Sequence, residues 1–154
     1  MQHGEAVASY PTPIGPLRLV VRGGALVYLG FDEGDAPGAV PAPFITQLDE
    51  YFNGTRKVFD LPLDLSAGTA FRRRVWDALI SVPYGETRSY KDIAADIGNE
   101  RAVRAVGGAN HNNPISIIVP CHRIIGADGS LTGYGGELWR KQWLLAHERK
   151  FSLS

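Results

Sequence analysis

The residues most able to do chemistry stand together in Val119-Pro120-Cys121-His122-Arg123-Ile124-Ile125-Gly126. Cys121 is the only cysteine in the chain. A thiolate is a nucleophile, and a cysteine becomes reactive when a nearby base or cation favours that form. His122 and Arg123 supply both types beside it. Neighbours in sequence need not touch, and a base can also work through one water. A base needs a third group to orient it, and Glu148 is the candidate. By residue type alone, Cys, His and Glu suit a hydrolase, a redox thiol or a transferase. One cysteine excludes an internal disulfide and any zinc site built from several cysteines.

These groups must be positioned by the elements around them. The first half reads as strands. Leu17-Arg18-Leu19-Val20-Val21-Arg22 and Ala25-Leu26-Val27-Tyr28-Leu29-Gly30-Phe31 flank Gly23-Gly24, which predicts a hairpin, and residues 6–10 add a strand. Residues 34–43, rich in Pro, Gly and Ala, form a loop or linker. Phe44, Ile45, Leu48, Tyr51 and Phe52 recur at helical spacing up to a stop at Gly54. Residues 58–65 predict one more short strand. From residue 69 the texture turns helical. Thr69 caps a helix that buries Phe71, Val75 and Leu79 and ends before Pro83. Ser89 caps a helix over 90–97 that Gly98 breaks, and 101–109 follows as a third short helix. Residues 115–119 read as a buried extended run, and a helix over 137–148 closes the chain. The fold class is α+β: a subdomain of antiparallel strands plus a helix over 1–68, then a mostly helical subdomain over 69–154.

Residues 89–110, two short helices about a Gly-containing turn, have the layout of a helix-turn-helix. The second helix has a surface of small side chains: Ala102, Ala105, Gly107, Gly108 and Ala109. Its only cations are Arg101 and Arg104. Such a surface suits close approach, whether to a narrow groove or to another helix. Net charge is zero, but its distribution is uneven. Residues 1–68 hold four Lys/Arg against eight Asp/Glu, and residues 69–154 hold twelve against eight. The +4 half is the one expected to face a partner. No apolar run approaches the roughly 20 residues of a membrane span. The opening Met1-Gln2-His3-Gly4-Glu5 lacks the layout of a signal peptide. A soluble, cytoplasmic, monomeric protein without a membrane partner is the expectation.

Asn113-Pro114 followed by Ile117-Ile118-Val119-Pro120-Cys121-His122-Arg123 resembles the active-site signature of the O6-alkylguanine-DNA alkyltransferase family. So do Pro83-Tyr84-Gly85-Glu86-Thr87 with Ser89-Tyr90, Arg104-Ala105-Val106-Gly107-Gly108-Ala109, Thr132-Gly133-Tyr134-Gly135-Gly136 and Trp143-Leu144-Leu145-Ala146-His147-Glu148. Thr12-Pro13-Ile14-Gly15-Pro16-Leu17 is similar to the family's opening region, so the resemblance spans nearly the whole chain.

The resemblance implies repair of double-stranded DNA by a single irreversible transfer of an alkyl group from O6-alkylguanine, and more weakly from O4-alkylthymine, to Cys121. It implies no metal and no other cofactor. His122 would deprotonate Cys121 through a water, Glu148 would polarise His122, and Asn113 would hold the turn that presents the thiol. Tyr90 would hydrogen-bond the extruded guanine. Tyr134 would lie on its face, with backbone groups near Cys121, Ile124 and Gly135 reading its edge. Arg104 would fill the gap left by the flipped nucleotide. Ala105, Gly107 and Gly108 would lie in the minor groove, and Arg123 joins them as an expected DNA contact. Three departures stand out: Ile124 where Val is usual, Asn110-His111-Asn112 in place of a segment often basic, and Gly135 where some relatives have Ser. The alternatives are an alkylated-DNA binder, which would lack the acceptor cysteine, a helix-turn-helix regulator, and a cysteine hydrolase that turns over repeatedly.

Overall fold

Leu17, Leu19 and Val21 alternate with more exposed neighbours, as a strand with one buried face requires. In the computed structural model, which describes residues 4–131 and 137–152, they form the central strand of an antiparallel sheet. Its strands are β1 (Glu5–Tyr10), β2 (Leu17–Arg22) and β3 (Ala25–Phe31), in that order. Gly23 and Gly24 join β2 to β3 at φ 60° and 83°. A two-residue hairpin turn with both residues at positive φ matches the strand twist, and glycine takes it without strain. The predicted hairpin is there, with one irregularity in register between Val20 and Val21.

Helix α1 (Ala42–Asn53) buries Phe44, Leu48 and Tyr51. It docks on β1, where the Tyr10 hydroxyl donates to Asp49 Oδ1 at 2.5 Å. Gly54, at φ 87°, ends the helix in the left-handed conformation and returns its N–H to Glu50 and Tyr51. Residues 58–65 do not make the expected strand. Only Leu63 bridges to Leu26, through Leu26 N–H to Pro62 O (2.9 Å) and Asp64 N–H to Leu26 O (2.9 Å). Pro62 has no N–H to donate, so a longer ladder cannot form there.

The chain divides into two compact units, residues 1–65 and 66–154. The second opens with α2 (Ala70–Ile80), capped by Thr69, whose hydroxyl accepts from Arg72 N–H at 3.1 Å. Its buried Val75, Trp76 and Leu79 face the core. Trp76 Nε1 donates to Ala109 O at 2.9 Å and so ties α2 to α4 (Val103–His111). Ser89 and Asp92 form a reciprocal capping box that starts α3 (Tyr90–Asp96). Helix α4 starts two residues later than the sequence suggests, because Ala102 is its N-cap. Helices α3 and α4 pack together as the expected helix-turn-helix, and α5 (Leu138–Ser152) closes the unit. A short parallel ladder was not anticipated: β4 (Arg88–Ser89) pairs with β5 (Ile124–Ile125). It joins the start of α3 to the segment just after Cys121. No helix among the described residues is long and apolar enough to cross a membrane.

Candidate active site around Cys121

The segment leading to Cys121 is buried, as expected, but it is not extended. Ile117 is at φ 73°, and Ile118 N–H bonds Ser116 O at 2.8 Å. An i to i+2 bond about a residue at that φ is the rare, strained form of γ-turn, and a β-branched residue makes it more costly. Three residues on, Pro120 sits at φ −81°, ψ 65°, and Cys121 N–H bonds Val119 O at 2.8 Å. That is the relaxed, inverse γ-turn. Two tight reversals therefore precede the thiol. Asn113 clamps them: its Nδ2 donates to Val119 O at 2.8 Å and its Oδ1 accepts from Ile115 N–H at 3.0 Å. Cys121, His122 and Arg123 then form one turn of 3-10 helix, all three buried.

Behind that turn, Glu148 of α5 gathers the polar groups. His122 Nε2 lies 2.7 Å from Glu148 Oε2. Arg123 donates from Nε to Glu148 Oε1 at 2.8 Å and from Nη2 to Oε2 at 3.0 Å, while its Nη1 donates to Val82 O at 2.7 Å. Burial pushes the Glu148 pKa up, but His122 and Arg123 outweigh it and hold the carboxyl well below the usual carboxylate range. A carboxylate only accepts, so the proton of neutral His122 sits on Nε2 and leaves a lone pair on Nδ1. Nδ1 is buried and has no hydrogen-bond partner among the described residues. Burial pushes the His122 pKa down; Glu148 pulls it up, Arg123 and Lys141 push it down, and the net shift is downward. The site therefore favours the neutral form of the ring.

Cys121 is 4% exposed. Burial pushes its thiol pKa up, and four groups pull against that: the Asn113 side chain, the Lys141 ammonium, and the N–H groups of Cys121 and His122. Lys141 is the residue that sequence reasoning missed. It is fully buried in α5, donates from Nζ to Ile124 O, and lies 6.0 Å from the centre of the Tyr90 ring. Burial lowers its pKa to about 8, with Cys121 pulling the other way. Asn110 adds a second tie, from Nδ2 to Cys121 O at 3.4 Å, and its own Oδ1 has no hydrogen-bond partner among the described residues. Among the described residues no group of three or more His, Cys, Asp or Glu is arranged to hold a metal ion.

A lone cysteine on a clamped turn, backed by His122 and Glu148 and placed after two packed helices, gives the sequence resemblance a three-dimensional counterpart. Residues 70–150 match the 6-O-methylguanine DNA methyltransferase DNA binding domain, and residues 7–65 match the ribonuclease-like domain of the same proteins. This chain belongs to that methyltransferase family. It is 51% identical over 148 residues to the methylated-DNA–protein-cysteine methyltransferase of Mycobacterium bovis, covering 90% of this chain and 88% of that one. The Methanosarcina barkeri protein of the same name is 48% identical over 147 residues, 89% of this chain and 92% of its own. The crystal structure of the Mycobacterium tuberculosis O6-methylguanine methyltransferase superposes with a TM-score of 0.85 at 48% identity, covering 94% of this chain and 92% of that one. Its complex with DNA gives 0.87 at the same identity, covering 94% and 93%.

Within this family framework, the expected site residues fall into four groups. Cys121, His122, Glu148 and Asn113 converge as described, and buried Ile124 lies beside them, with Tyr90 near Lys141. Arg104, Ala105, Gly107 and Gly108 lie on α4, the helix that also carries Asn110. Arg104, Ala105 and Gly108 are exposed, and a Cβ built on either glycine meets nothing within 4 Å. Among the described residues, no other element packs against these glycines. Tyr134 and Gly135 lie outside the described residues. Arg123, expected at the DNA, is corrected: it is 6% exposed and its guanidinium is engaged by Glu148 and Val82. A cation held that way cannot also reach a phosphate.

Proposed function

We propose that Cys121 accepts, once, the alkyl group on O6 of a guanine extruded from duplex DNA, and more slowly that on O4 of thymine. Family membership makes the chain a methylated-DNA–protein-cysteine methyltransferase that repairs DNA by direct reversal. The observation that carries the residue assignment is the wiring of His122. One ring nitrogen is engaged by a buried carboxylate, and the other is left with a lone pair close in sequence to a buried thiol.

In the proposed step His122 Nδ1 takes the Cys121 proton through one water. The sulfur attacks the alkyl carbon, an S–C bond forms, and the C–O6 bond breaks with its electron pair leaving on guanine. That developing charge is best met by donors already in place, a role for the Tyr90 hydroxyl. Lys141, held beside Tyr90 and acting on Cys121, favours the thiolate and opposes protonation of His122. A lesion stacked in the duplex is out of reach, so the nucleotide must flip. Arg104 fills the gap, and Ala105, Gly107 and Gly108 let α4 approach the groove closely. The thioether product has no easy leaving group, so the protein is consumed as a monomeric reagent in the cytoplasm.

Intact mass after incubation with an oligonucleotide containing O6-methylguanine tests this. One methyl group on Cys121 is expected, and Cys121→Ser should accept none while still binding DNA. Repeated turnover, or label on another residue, would refute it.

A further inference from the structure

We infer that Arg123 is a positioning residue that keeps His122 a neutral base, by holding a positive charge against the carboxylate that would otherwise draw a proton onto the ring. This rests on the reading of His122 as the base for Cys121. The motif Pro120-Cys121-His122-Arg123 offers a cation next to a nucleophile, and the obvious uses are to contact DNA or to stabilise the thiolate directly. The geometry assigns neither.

Arg123 meets Glu148 with two parallel N–H···O bonds, 2.8 and 3.0 Å, the fork-to-fork form that fixes both partners. His122 Nε2 reaches the same Oε2, at 2.7 Å. All three side chains are buried: His122 is 0%, Glu148 1% and Arg123 6% exposed. A buried carboxylate facing only an imidazole favours the imidazolium, since an opposite charge at that distance stabilises the protonated ring. An imidazolium has no lone pair and cannot take a proton from sulfur. With Arg123 present the carboxylate is already neutralised, and protonating His122 would leave a net positive charge buried. Burial penalises such a charge.

Among the described residues, groups from three elements face this cluster. Glu148 and Lys141 come from α5, and Cys121 and Arg123 come from the turn itself. From the loop after α2, Tyr84 lies under the Arg123 guanidinium, 5.7 Å to the ring centre, and Gly85 N–H donates to Glu148 Oε1 at 3.3 Å. Arg123 also donates to Val82 O in that loop, which pins the guanidinium from the far side. After burial, Arg123 and Lys141 are the groups that push the His122 pKa down, against Glu148. Lys141 acts at the sulfur side; Arg123 acts through the shared carboxylate.

The test is an NMR titration of the His122 ring in the full chain, without DNA, alongside single-turnover alkyl transfer as a function of pH. In Arg123→Met the His122 midpoint should rise by about one unit or more, the scale expected when a neighbouring cation is removed. The acid limb of the rate profile should move up with it. Arg123→Lys keeps the charge, and its midpoint should stay near that of the wild type although the two-point grip is lost. Glu148→Gln leaves Arg123 as an uncompensated cation and should lower the midpoint. If Arg123→Met does not fold, the Lys and Gln variants decide. A midpoint unchanged in Arg123→Met, or unchanged in Glu148→Gln, overturns the inference whatever happens to the rate. A midpoint that moves in Arg123→Met while the rate profile stays put upholds the hold of Arg123 on His122 and overturns His122 as the base.

Discussion

Replacing Gly107 and Gly108 together by alanine should stabilise this protein and weaken its grip on DNA. Both glycines lie inside α4, neither has positive φ, and a Cβ built on either meets nothing within 4 Å. Glycine in a helix interior costs about 0.8–1.0 kcal/mol against alanine. The pair should therefore gain roughly 2 kcal/mol, because nothing among the described residues opposes the added methyl groups. At about 2–4 °C per kcal/mol for a chain of this size, Tm should rise by roughly 4–8 °C. The sequence keeps two glycines at a stability cost, which points to a partner that comes closer than a Cβ allows. If that partner is the DNA groove, two methyl groups on the contact face should cost about tenfold or more in affinity, or some 1.4 kcal/mol. Thermal denaturation and fluorescence anisotropy at fixed salt read the two effects separately. Reaction with a free O6-alkylguanine base should be unchanged. A higher Tm with undiminished DNA affinity would remove α4 from the DNA interface; a lower Tm would mean that its outer face is not open.

Asn113→Ala removes two hydrogen bonds of about 1 kcal/mol each, so Tm should fall by roughly 4–8 °C and alkyl transfer should slow. Asn113→Asp restores the acceptor for Ile115 N–H but sets a negative charge near the sulfur; a single-turnover rate above that of the alanine variant would count against the clamp acting on the thiol. Lys141 holds its proton only up to about pH 8 in the folded chain, against 10.5 as its ordinary value. Between those pH values the unfolded chain binds the extra proton, so stability rises with pH. The Tm difference between wild type and Lys141→Met should therefore shift in favour of wild type from pH 8 to 10.5, and a flat difference would contradict the burial of a charged amine. Arg104→Ala should slow repair at saturating duplex and leave reaction with the free base near normal. Equal losses on both substrates would mean that Arg104 supports the fold instead of filling the stack.

Much of the fold is legible because it rests on local chemistry. Gly23-Gly24, Gly54, Thr69 and Ser89 act within a few residues of where they stand, and each starts or ends the element assigned to it. The failures are non-local or go against residue preference. Residues 115–119 look like a strand because β-branched side chains favour extended backbone, yet Asn113 and two γ-turns fold the segment tightly. Nothing in a run of isoleucines announces a left-handed φ at Ile117. Lys141 was passed over because lysine is almost never fully buried, and its partner Ile124 O lies 17 residues away. Arg123 reads as a DNA contact because nothing local shows its partner: the carboxylate that engages it is 25 residues downstream. Cys121, His122 and Glu148 could be named from their residue types, and Asn113 from the family resemblance. Their geometry could not.

The burial of Cys121 looks at odds with its use as a nucleophile, since burial raises its pKa and a thiol attacks poorly until it loses its proton. For a reagent that is used once, the conflict has a physical sense. A cysteine kept as exposed thiolate would be open to oxidation before any lesion arrived. A protonated thiol at 4% exposure is shielded from that. What surrounds the sulfur instead is a set of groups that favour the thiolate, with His122 as the proposed base. Asn113 and two backbone N–H groups offer hydrogen bonds to the thiolate, Lys141 brings a positive charge, and His122 is kept ready with its lone pair. These groups are fixed by Val119 O, Ile124 O and Glu148 before any substrate binds, so no reorganisation is needed when the base enters. The strained turn at Ile117 fits the same logic. It costs about 1–3 kcal/mol and persists because the buried core and the Asn113 clamp over-determine it. Stability is given up there to hold one sulfur atom where a single displacement can occur.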